Sequence, residues 1–578
     1  MVFQEHQKKI TEQISTAIKE EFQQDFPHES MRLETPPDQE MGDLAFPCFP
    51  LAKILKLPPP KIAARLADRM ASSPEIEKAA AHGGYLNLFY NKSGFIEMTL
   101  REIHEKRDAY GNTAIGNGQT ILIEYSSPNT NKPLHLGHLR NNTLGMASAN
   151  LLDAMGYRVI KVNLVNDRGV HICKSMLAYQ KWGGGETPES TGTKGDHLAG
   201  KYYVLFETKL KENPDLEEEA QALLHKWESG DEETLSLWRR MNEWVYQGFR
   251  KTYSRMGTAF DKWYFESDTY RLGKKLVLEG LGKGIFYRRE DGAVEIDLTG
   301  HGFDKKVLLR PNGTAVYMTQ DLGTAKLKYE DYAFSRSLYV VANEQDYHFN
   351  VLFKILELLG FEWAKGCVHL SYGMVELPEG KMKSREGTVV DADDLLDELK
   401  SLAREAILER RSDFEEGELE RRAEEIGQGA LKFYLLKVNP RNNIQFNPKE
   451  AIAFEGATGP YIQYSHARIQ SILRKAGDLS FDSLDLSALG NKEEFSLARQ
   501  LYNFPMEIQK AAEEYNPARV CEAALQIARE LSKFYKERQV LKAESDELRT
   551  ARLFLIHCVA LALKKALTLL GIQAPDRM

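Results

Sequence analysis

The spacing of hydrophobic residues indicates a small mixed domain at the start of the chain. Apolar residues recur with a helical period at 4–22 and 61–71, and three prolines at 58–60 separate the first pattern from the second. The segment YLNLFY at 85–90 is typical of a strand. Together these patterns predict an N-terminal α+β domain that spans residues 1–112.

A strand, a turn and a helix follow in close succession after residue 118. ILIEYSS at 121–127 is an apolar strand, a Pro-Asn turn comes next, and a helix rich in small residues runs from about Gly137 to Met155. A second strand, YRVIKVNLV, follows at 157–165. This order opens a doubly wound parallel sheet of the Rossmann-like type, in which a nucleotide binds at the carboxyl ends of the strands.

The rest of this α/β domain contains an insertion. Charged helical patterns at 183–260 begin with three glycines, and strand-like patterns return at 337–343 and 367–375. We therefore expect the sheet to resume after the insertion and to end near residue 390. The predicted catalytic domain spans 118–390.

Almost every segment from residue 391 onward has a helical period. We expect linking helices over 391–448 and an all-α bundle over 449–578. The last apolar run, at 549–571, is interrupted by Arg552, His557, Lys564 and Lys565. These polar residues predict a core helix of the bundle rather than a membrane span.

Composition restricts the class of protein more than its function. The 578 residues include 42% hydrophobic residues, which is typical of a soluble globular protein, and no signal peptide opens the chain, so we expect a cytoplasmic location. The formal net charge of −8 opposes phosphate binding overall, but the basic stretch at 465–475 leaves a local RNA-binding surface possible. Five widely separated cysteines predict reduced packing residues and no metal site.

The most informative stretch is PNTNKPLHLGH at 128–138. His135 and His138 flank Gly137 at the predicted start of a helix, where free N–H groups and the helix dipole favour an anion. Gly137 lets an adenine ring approach the backbone, and both histidines can donate to phosphate oxygens as charge builds on them. In isolation an HxGH pattern favours chance surface histidines. Its position after a strand and Lys132, at the start of a helix, instead predicts an ATP site.

The run YSSPNTNKPLHLGHLRN resembles the HIGH signature of class I aminoacyl-tRNA synthetases, in the form typical of arginyl enzymes. The signature region comprises Pro128, Asn129, Lys132, Pro133, His135, Gly137 and His138. A second stretch, GKMKSREG at 380–387, resembles the KMSKS loop, with Ser384 in place of the family's second lysine. The resemblance implies that Lys132 supplies the missing charge. It also implies catalytic roles for Lys381 and Lys383 and ATP contacts from Met382, Lys383 and Ser384. Alone, 380–387 is typical of a solvated charged turn.

An arginine substrate needs carboxylates around its guanidinium and polar groups at its α-amino and carboxylate end. Similarity to the arginyl family implies Glu124, Tyr317 and Asp321 for the guanidinium. It implies Asn129, His138 and Gln345 for the opposite end. From the residues alone, a strand-end salt bridge explains Glu124 as well, and a helix cap with a packed aromatic explains Tyr317 and Asp321.

Two further segments resemble the RNA-binding parts of this family. The segment at 455–476 resembles the start of its helical anticodon-binding domain, and the final APDRM matches its usual C-terminus. Tyr461, Tyr464 and Arg468 have the chemistry to stack on bases and grip phosphates, although an amphipathic core helix has the same composition. The motif at 84–89 looks like a strand of the family's additional N-terminal domain. Asn87 and Tyr90 are its candidate tRNA contacts, or ordinary strand residues.

The resemblance implies an arginine–tRNA ligase. Such an enzyme forms arginyl-adenylate from arginine and ATP with Mg²⁺, and then passes the arginine to the 3′ end of tRNA(Arg), with activation waiting for the bound tRNA. We expect a monomer that contacts no membrane. Three rivals fit parts of the sequence: another class I synthetase, a small HxGH nucleotidyltransferase, and a non-catalytic RNA-binding relative. Carboxylates at both 124 and 321 argue against another class I synthetase. The helical C-terminal domain argues against a small nucleotidyltransferase, and the intact histidines argue against a non-catalytic relative.

Overall fold

A computed structural model describes residues 2–34, 36–70, 73–378, 390–410, 414–477, 480–481 and 484–578. Its strands are β1 (Leu44–Pro47), β2 (Ile76–His82), β3 (Tyr85–Tyr90), β4 (Thr120–Glu124), β5 (Arg158–Val165), β6 (Lys262–Phe265), β7 (Tyr287–Arg288), β8 (Val294–Ile296), β9 (Lys306–Leu309), β10 (Arg336–Ala342), β11 (Cys367–Tyr372), β12 (Val375–Glu376) and β13 (Ile444–Gln445).

The first eleven α-helices are α1 (Val2–Phe22), α2 (Phe49–Leu55), α3 (Pro59–Arg69), α4 (Lys92–Lys106), α5 (Leu136–Ala154), α6 (Val170–Trp182), α7 (Pro188–Thr191), α8 (Gly195–Glu212), α9 (Leu216–Ser229), α10 (Glu232–Met256) and α11 (Glu266–Thr269). The remaining helices are α12 (Leu272–Gly282), α13 (Tyr317–Tyr332), α14 (Asp346–Leu358), α15 (Ala392–Leu408), α16 (Glu416–Leu436), α17 (Pro448–Ala451), α18 (Gly459–Ala476), α19 (Lys492–Glu513), α20 (Ala518–Glu537) and α21 (Asp546–Leu569).

A parallel five-stranded sheet in the order β11-β10-β4-β5-β6 forms the centre of the molecule. Its central strands are rich in apolar residues because helices cover both faces. The chain proceeds from β4 toward β6 and later returns on the other side of β4, so the strand order reverses between β4 and β10. Open α/β sheets bind ligands at the carboxyl ends of the strands beside such a switch point. The prediction of a Rossmann-like, doubly wound sheet is confirmed.

Helix α5 begins at Leu136, within the HxGH motif, and crosses this sheet. Small residues on the helix allow it to approach the sheet closely. A Cβ on Gly145 would lie 2.4 Å from the ring of Tyr125, so glycine alone lets the helix pack against the end of β4. The predicted helix from Gly137 to Met155 agrees with α5 to within one residue at each end.

The sheet ends earlier than the sequence pattern predicts. Among the described residues its last strand, β11, stops at Tyr372, and β12 pairs instead with β13. The expected end near residue 390 is therefore wrong for the part of the chain that the structure describes. No pattern in the sequence indicated β6, the edge strand that follows the charged helices α7 to α10.

The N-terminal domain and the C-terminal helices share a buried interface. A three-stranded antiparallel sheet with helix α3 forms the first domain. His6 Nδ1 lies 2.8 Å from the hydroxyl of Tyr502, and the Tyr110 hydroxyl donates to the Leu501 carbonyl at 2.8 Å. The α+β character of the N-terminal domain and the all-α character of the C-terminal bundle agree with the prediction.

The hydrophobic C-terminal helix belongs to the core of the bundle. Most of α21 is buried against its neighbours. Within the described ranges, no helix is long and apolar enough to cross a membrane. All five cysteines are buried and unpaired, which agrees with a packing role.

Candidate active site

Directly after β4, the backbone makes a tight turn that the side chains of two asparagines hold. Ser126 and Ser127 have φ angles of 74° and 46°, a left-handed conformation that costs energy for residues other than glycine. Asn141 Oδ1 accepts the Ser126 N–H at 2.5 Å, and Asn163 Oδ1 accepts the Ser127 N–H at 3.0 Å. These bonds fix the direction in which the chain enters the HxGH segment.

Residues 128–138, called the HxGH segment because they end in His135, Leu136, Gly137 and His138, are held by backbone hydrogen bonds on both sides. The Thr130 N–H donates to the Asn166 carbonyl at 3.0 Å, just beyond the end of β5. On the other side, the Leu136 N–H donates to the Val390 carbonyl at 3.1 Å, and the Ala392 N–H donates to the Leu134 carbonyl at 3.0 Å. The segment therefore connects the edge of the sheet to the residues that follow the second signature stretch.

Two imidazoles lie at the N-terminus of α5. Nδ1 of His135 accepts the Gly137 N–H at 3.1 Å, and Nδ1 of His138 accepts the His135 N–H at 3.2 Å. The two ring centroids are 4.0 Å apart. Because each Nδ1 accepts a hydrogen bond, a neutral ring carries its proton on Nε2, which is free to donate. A Cβ on Gly137 would lie 2.9 Å from the His135 ring, so only glycine permits this arrangement.

Burial keeps both histidines uncharged. It lowers the pKa of His135 to about 3 and the pKa of His138 well below its usual value, with the nearby positive charge of Lys132 acting in the same direction. The pKa of Lys132 is also lowered by burial. The site thus combines two neutral donors, a half-buried ammonium and the positive end of a helix dipole, a combination suited to phosphate oxygens.

The residues predicted for the opposite side of the site lie near the start of α13 and of α14. Tyr317 is the first residue of α13 and is 75% exposed. Asp321 follows one turn later, and its Oδ2 lies 2.6 Å from Nε2 of His348 on α14. Gln345 directly precedes α14 and is exposed, as is Asn129. The His348 contact brings the guanidinium candidate Asp321 close to the Gln345 turn.

Glu124 has a resident cationic partner. Its carboxylate forms an ion pair with the ammonium of Lys328, and the two side chains are 7% and 1% exposed. Lys328 Nζ also lies 4.9 Å from the ring centroid of Tyr339, the β10 residue in register with Glu124. Positions 317, 321 and 328 lie along one face of α13. The strand-end salt bridge, the alternative reading of Glu124, is thus present.

The candidate RNA contacts differ in accessibility. Tyr464 on α18 is 41% exposed, and the guanidinium of Arg468 lies 4.5 Å from the ring centroid of Tyr535. The Tyr461 hydroxyl lies 3.1 Å from the Ser532 hydroxyl. Asn87 and Tyr90, in contrast, are only 4% and 3% exposed, which favours a packing role over direct contact with RNA. Lys381, Met382, Lys383 and Ser384 lie outside the described residues.

Comparison with protein families assigns this architecture. The description "tRNA synthetases class I (R), catalytic domain" matches residues 99–448. The chain belongs to the class I arginyl-tRNA synthetases. "Arginyl tRNA synthetase N terminal domain" matches residues 8–90 of this arginyl-tRNA synthetase family member, and "DALR anticodon binding domain" matches 462–578.

Individual relatives agree with this membership. An arginine–tRNA ligase of Parabacteroides distasonis is 47% identical over 596 residues, covering 99% of this chain and 100% of the relative. One of Treponema denticola is 46% identical over 561 residues and 95% of each chain. The solved structure of Thermus thermophilus arginyl-tRNA synthetase superimposes with a TM-score of 0.82 at 29% identity, covering 99% of this chain and 100% of that one. The predicted family, enzyme class and arginine–tRNA ligase function are confirmed.

Sequence reasoning missed two charged groups at the sheet edge of this arginyl-tRNA synthetase. One is Lys328, which its spacing of seven residues from Asp321 on a helix could have indicated. The other is Arg168, three residues beyond the end of β5. Its guanidinium lies 4.0 Å from the ring centroid of Tyr270 and pairs with Glu228 at 2.7 Å. Its position at the carboxyl end of a central strand was the available signal.

Proposed function

We propose that this arginine–tRNA ligase activates arginine at the carboxyl edge of the central sheet. His135 and His138 would hold the phosphates of ATP, and Gly137 would let the adenine approach the backbone. The observation that carries this proposal is the pair of imidazoles at the N-terminus of α5, each with Nδ1 bound to a backbone N–H. That arrangement leaves both Nε2 atoms to donate to one anionic ligand. ATP enters as its Mg²⁺ complex, with the metal on the phosphates.

The activation step needs no nucleophilic side chain. A carboxylate oxygen of arginine bonds to the α-phosphorus of ATP while the bond to the bridging oxygen of pyrophosphate breaks. Negative charge grows on the phosphate oxygens between them, so donors already at fixed positions lower the barrier. Neutral histidines and Lys132 supply these donors. Lys381, Lys383 and Ser384 would add donors from the second signature stretch, and Met382 would contact ATP.

Arginine itself would lie between α13 and the end of β4. We assign its guanidinium to Asp321, Tyr317 and Glu124, and its α-amino and carboxylate groups to Asn129, His138 and Gln345. The exposed position of Tyr317 and the half-exposed carboxylate of Asp321 support this assignment, since a ligand can reach both. A carboxylate and a guanidinium form two parallel hydrogen bonds, which fixes orientation as well as charge.

The second step attaches arginine to RNA. The 3′-terminal ribose hydroxyl bonds to the carbonyl carbon of the adenylate, and AMP leaves. We propose that residues 1–112 grip tRNA(Arg), that 118–390 catalyse with an insertion at 183–260, and that 391–448 link this domain to an anticodon-binding domain at 449–578. Tyr464 has the exposure that base stacking requires. Tyr461, Arg468, Asn87 and Tyr90 stay predictions. We infer that the enzyme works as a cytoplasmic monomer.

The arginine assignment predicts the effect of one substitution on substrate affinity. In Asp321→Asn the side chain keeps its shape and its contact with His348 but loses its charge. We expect the KM for arginine in ATP–pyrophosphate exchange to rise about 10- to 100-fold, since a hydrogen bond between charged groups contributes about 1.5–3 kcal/mol. The KM for ATP should change little.

A matched control lies on the same helix. Glu330 forms an exposed ion pair with Lys326 at 2.6 Å, and Glu330→Gln should leave the KM for arginine unchanged because such pairs contribute little. Exchange should be assayed with all twenty amino acids, with and without total tRNA. An Asp321→Asn enzyme with the wild-type KM, or exchange supported only by lysine or glutamate, would show that the assignment is wrong.

A further inference from the structure

A group of charged side chains joins the inserted helices to the start of α15. Lys194, just before α8, lies with its ammonium nitrogen 2.5 Å from Asp393 Oδ2 and 3.0 Å from Asp196 Oδ2. The same nitrogen donates to the hydroxyl of Thr252 on α10 at 2.6 Å, and that hydroxyl donates to Asp393 Oδ1 at 3.1 Å. One ammonium thus connects α8, α10 and α15.

A histidine makes a second connection in the same place. Nε2 of His197 lies 3.1 Å from Asp391 Oδ2 and 3.4 Å from Asp393 Oδ2. These two carboxylates raise the pKa of His197 to about 10, so the ring is charged at neutral pH. Asp391 also caps α15, because its Oδ1 accepts the Asp393 N–H at 2.8 Å. The His197 ring, which belongs to the insertion, therefore contacts the residue that caps α15.

The capping residue, Asp391, is also the one that contacts the HxGH motif. Asp391 forms a backbone bridge with His135, flanked by the hydrogen bonds that join Val390 to Leu136 and Leu134 to Ala392. A single residue, Asp391, thus separates His197 from the backbone of His135. No other ion pair in the described ranges connects the insertion to a bridge partner of the HxGH segment.

Packing in the same region allows little freedom. A Cβ on Gly200 of α8 would lie 2.8 Å from Pro133 Cδ, and a Cβ on Gly248 of α10 would lie 2.3 Å from Asp196 Oδ1. Leu134 and Leu136 belong to one buried cluster with residues of α8, α10 and α15. A shift of the insertion would therefore be transmitted to the residues beside His135.

His197, Asp391 and Asp393 are also of the types that bind metal ions, and their ligand atoms lie within 4.8 Å of one another. The ammonium of Lys194 already lies 2.5 Å from Asp393 Oδ2 and 3.0 Å from Asp196 Oδ2. This positive charge repels a further cation at the same carboxylates. The cluster is better explained as a set of ion pairs than as a metal centre.

We propose that His197 and Lys194 are positioning residues for the activation step. Through the two aspartates at the start of α15, they hold the backbone bridge that sets the position of His135 relative to ATP. The inference rests on the proposed role of His135 in phosphate binding. It adds that the insertion takes part in catalysis by fixing this histidine, without touching the substrate.

The test uses the full chain with tRNA(Arg) present and compares three variants. His197→Gln keeps a polar side chain but removes the charge that holds both aspartates. We expect its kcat for arginine-dependent ATP–pyrophosphate exchange to fall about tenfold or more, since a misplacement of about 1 Å can cost 10²-fold. The KM for arginine should stay within about twofold, because the pocket on α13 is not altered. His197→Arg restores a charged donor and should recover most of the loss.

Lys201→Gln is the matched control. Lys201 lies on the same helix as His197, and its exposed ammonium pairs with Glu186 at 2.7 Å, so its loss should leave kcat unchanged. A His197→Gln enzyme with wild-type kcat overturns the inference. A His197→Arg enzyme as slow as the His197→Gln enzyme overturns it too. A loss of kcat that is accompanied by a fall in the melting temperature indicates a structural role only and also overturns the inference. If His135 variants are inactive while His197→Gln is fully active, this inference alone fails.

Discussion

An enzyme carrying both His135→Ala and His138→Ala should lose arginine-dependent ATP–pyrophosphate exchange by at least about 10³-fold, because removing even one donor to a developing oxyanion costs about 10²–10³ in kcat. Each substitution removes an Nε2 donor at the N-terminus of α5. The loss should appear chiefly in kcat, because both donors act on phosphate oxygens whose charge grows in the transition state. The KM for arginine should rise as well, because His138 is also assigned to its α-amino and carboxylate end. Radiolabelled pyrophosphate exchange at saturating arginine, with tRNA present, measures it.

The double variant also removes the cap of α5, so a control must separate this effect from the chemistry. His135 is the N-cap residue, and its Nδ1 accepts the Gly137 N–H. Asparagine is a preferred N-cap residue, so His135→Asn should keep the wild-type melting temperature and still lose exchange. His225→Ala, at a side chain 80% exposed on α9, should keep full exchange. Exchange within tenfold of wild type in the double variant would place the phosphate site elsewhere.

The backbone that follows β4 could not be predicted from local sequence patterns. The apolar run predicted a strand over 121–127, but β4 ends at Glu124. Beyond it, Ser126 and Ser127 adopt left-handed conformations that their own propensities disfavour. The hydrogen bonds that hold them come from Asn141 and Asn163, which are 15 and 36 residues away in sequence. No local pattern contains that information.

The same limit explains the early end of the sheet. The pattern at 367–375 continues past Tyr372, but a Cβ on Gly373 would lie 2.5 Å from the backbone of Asn442, so the chain leaves the sheet to pack there. Arg140 secures this junction by donating to the Met374 carbonyl at 2.8 Å and the Asn442 carbonyl at 2.7 Å. Residues close in sequence, such as His135 to His138, were predictable because a helix start brings them together. Partners hundreds of residues apart were not.

Lys328→Met should destabilise the enzyme by about 3–5 kcal/mol, because removing one partner of a buried ion pair leaves the other charge unpaired in the protein interior. Glu124 is the charge that remains, and the two side chains of the pair are only 7% and 1% exposed. Urea unfolding, followed by the fluorescence of the tryptophans, measures the change. The double variant Lys328→Met/Glu124→Gln removes both charges and should recover most of the lost stability. Equal stability of Lys328→Met and wild type would contradict the prediction.

The effect of arginine on the melting temperature of Lys328→Met tests whether Glu124 contacts the substrate. If Glu124 faces the guanidinium of the substrate, bound arginine replaces the missing cation in Lys328→Met. Ligands stabilise a protein according to how much better they bind its folded state, so arginine should raise the melting temperature of Lys328→Met more than that of the wild type. Lysine at the same concentration should not, because its compact ammonium does not match a carboxylate in two places as a guanidinium does. An equal shift in both proteins would mean that Glu124 serves only as the partner of Lys328, and that Asp321 and Tyr317 recognise arginine without it.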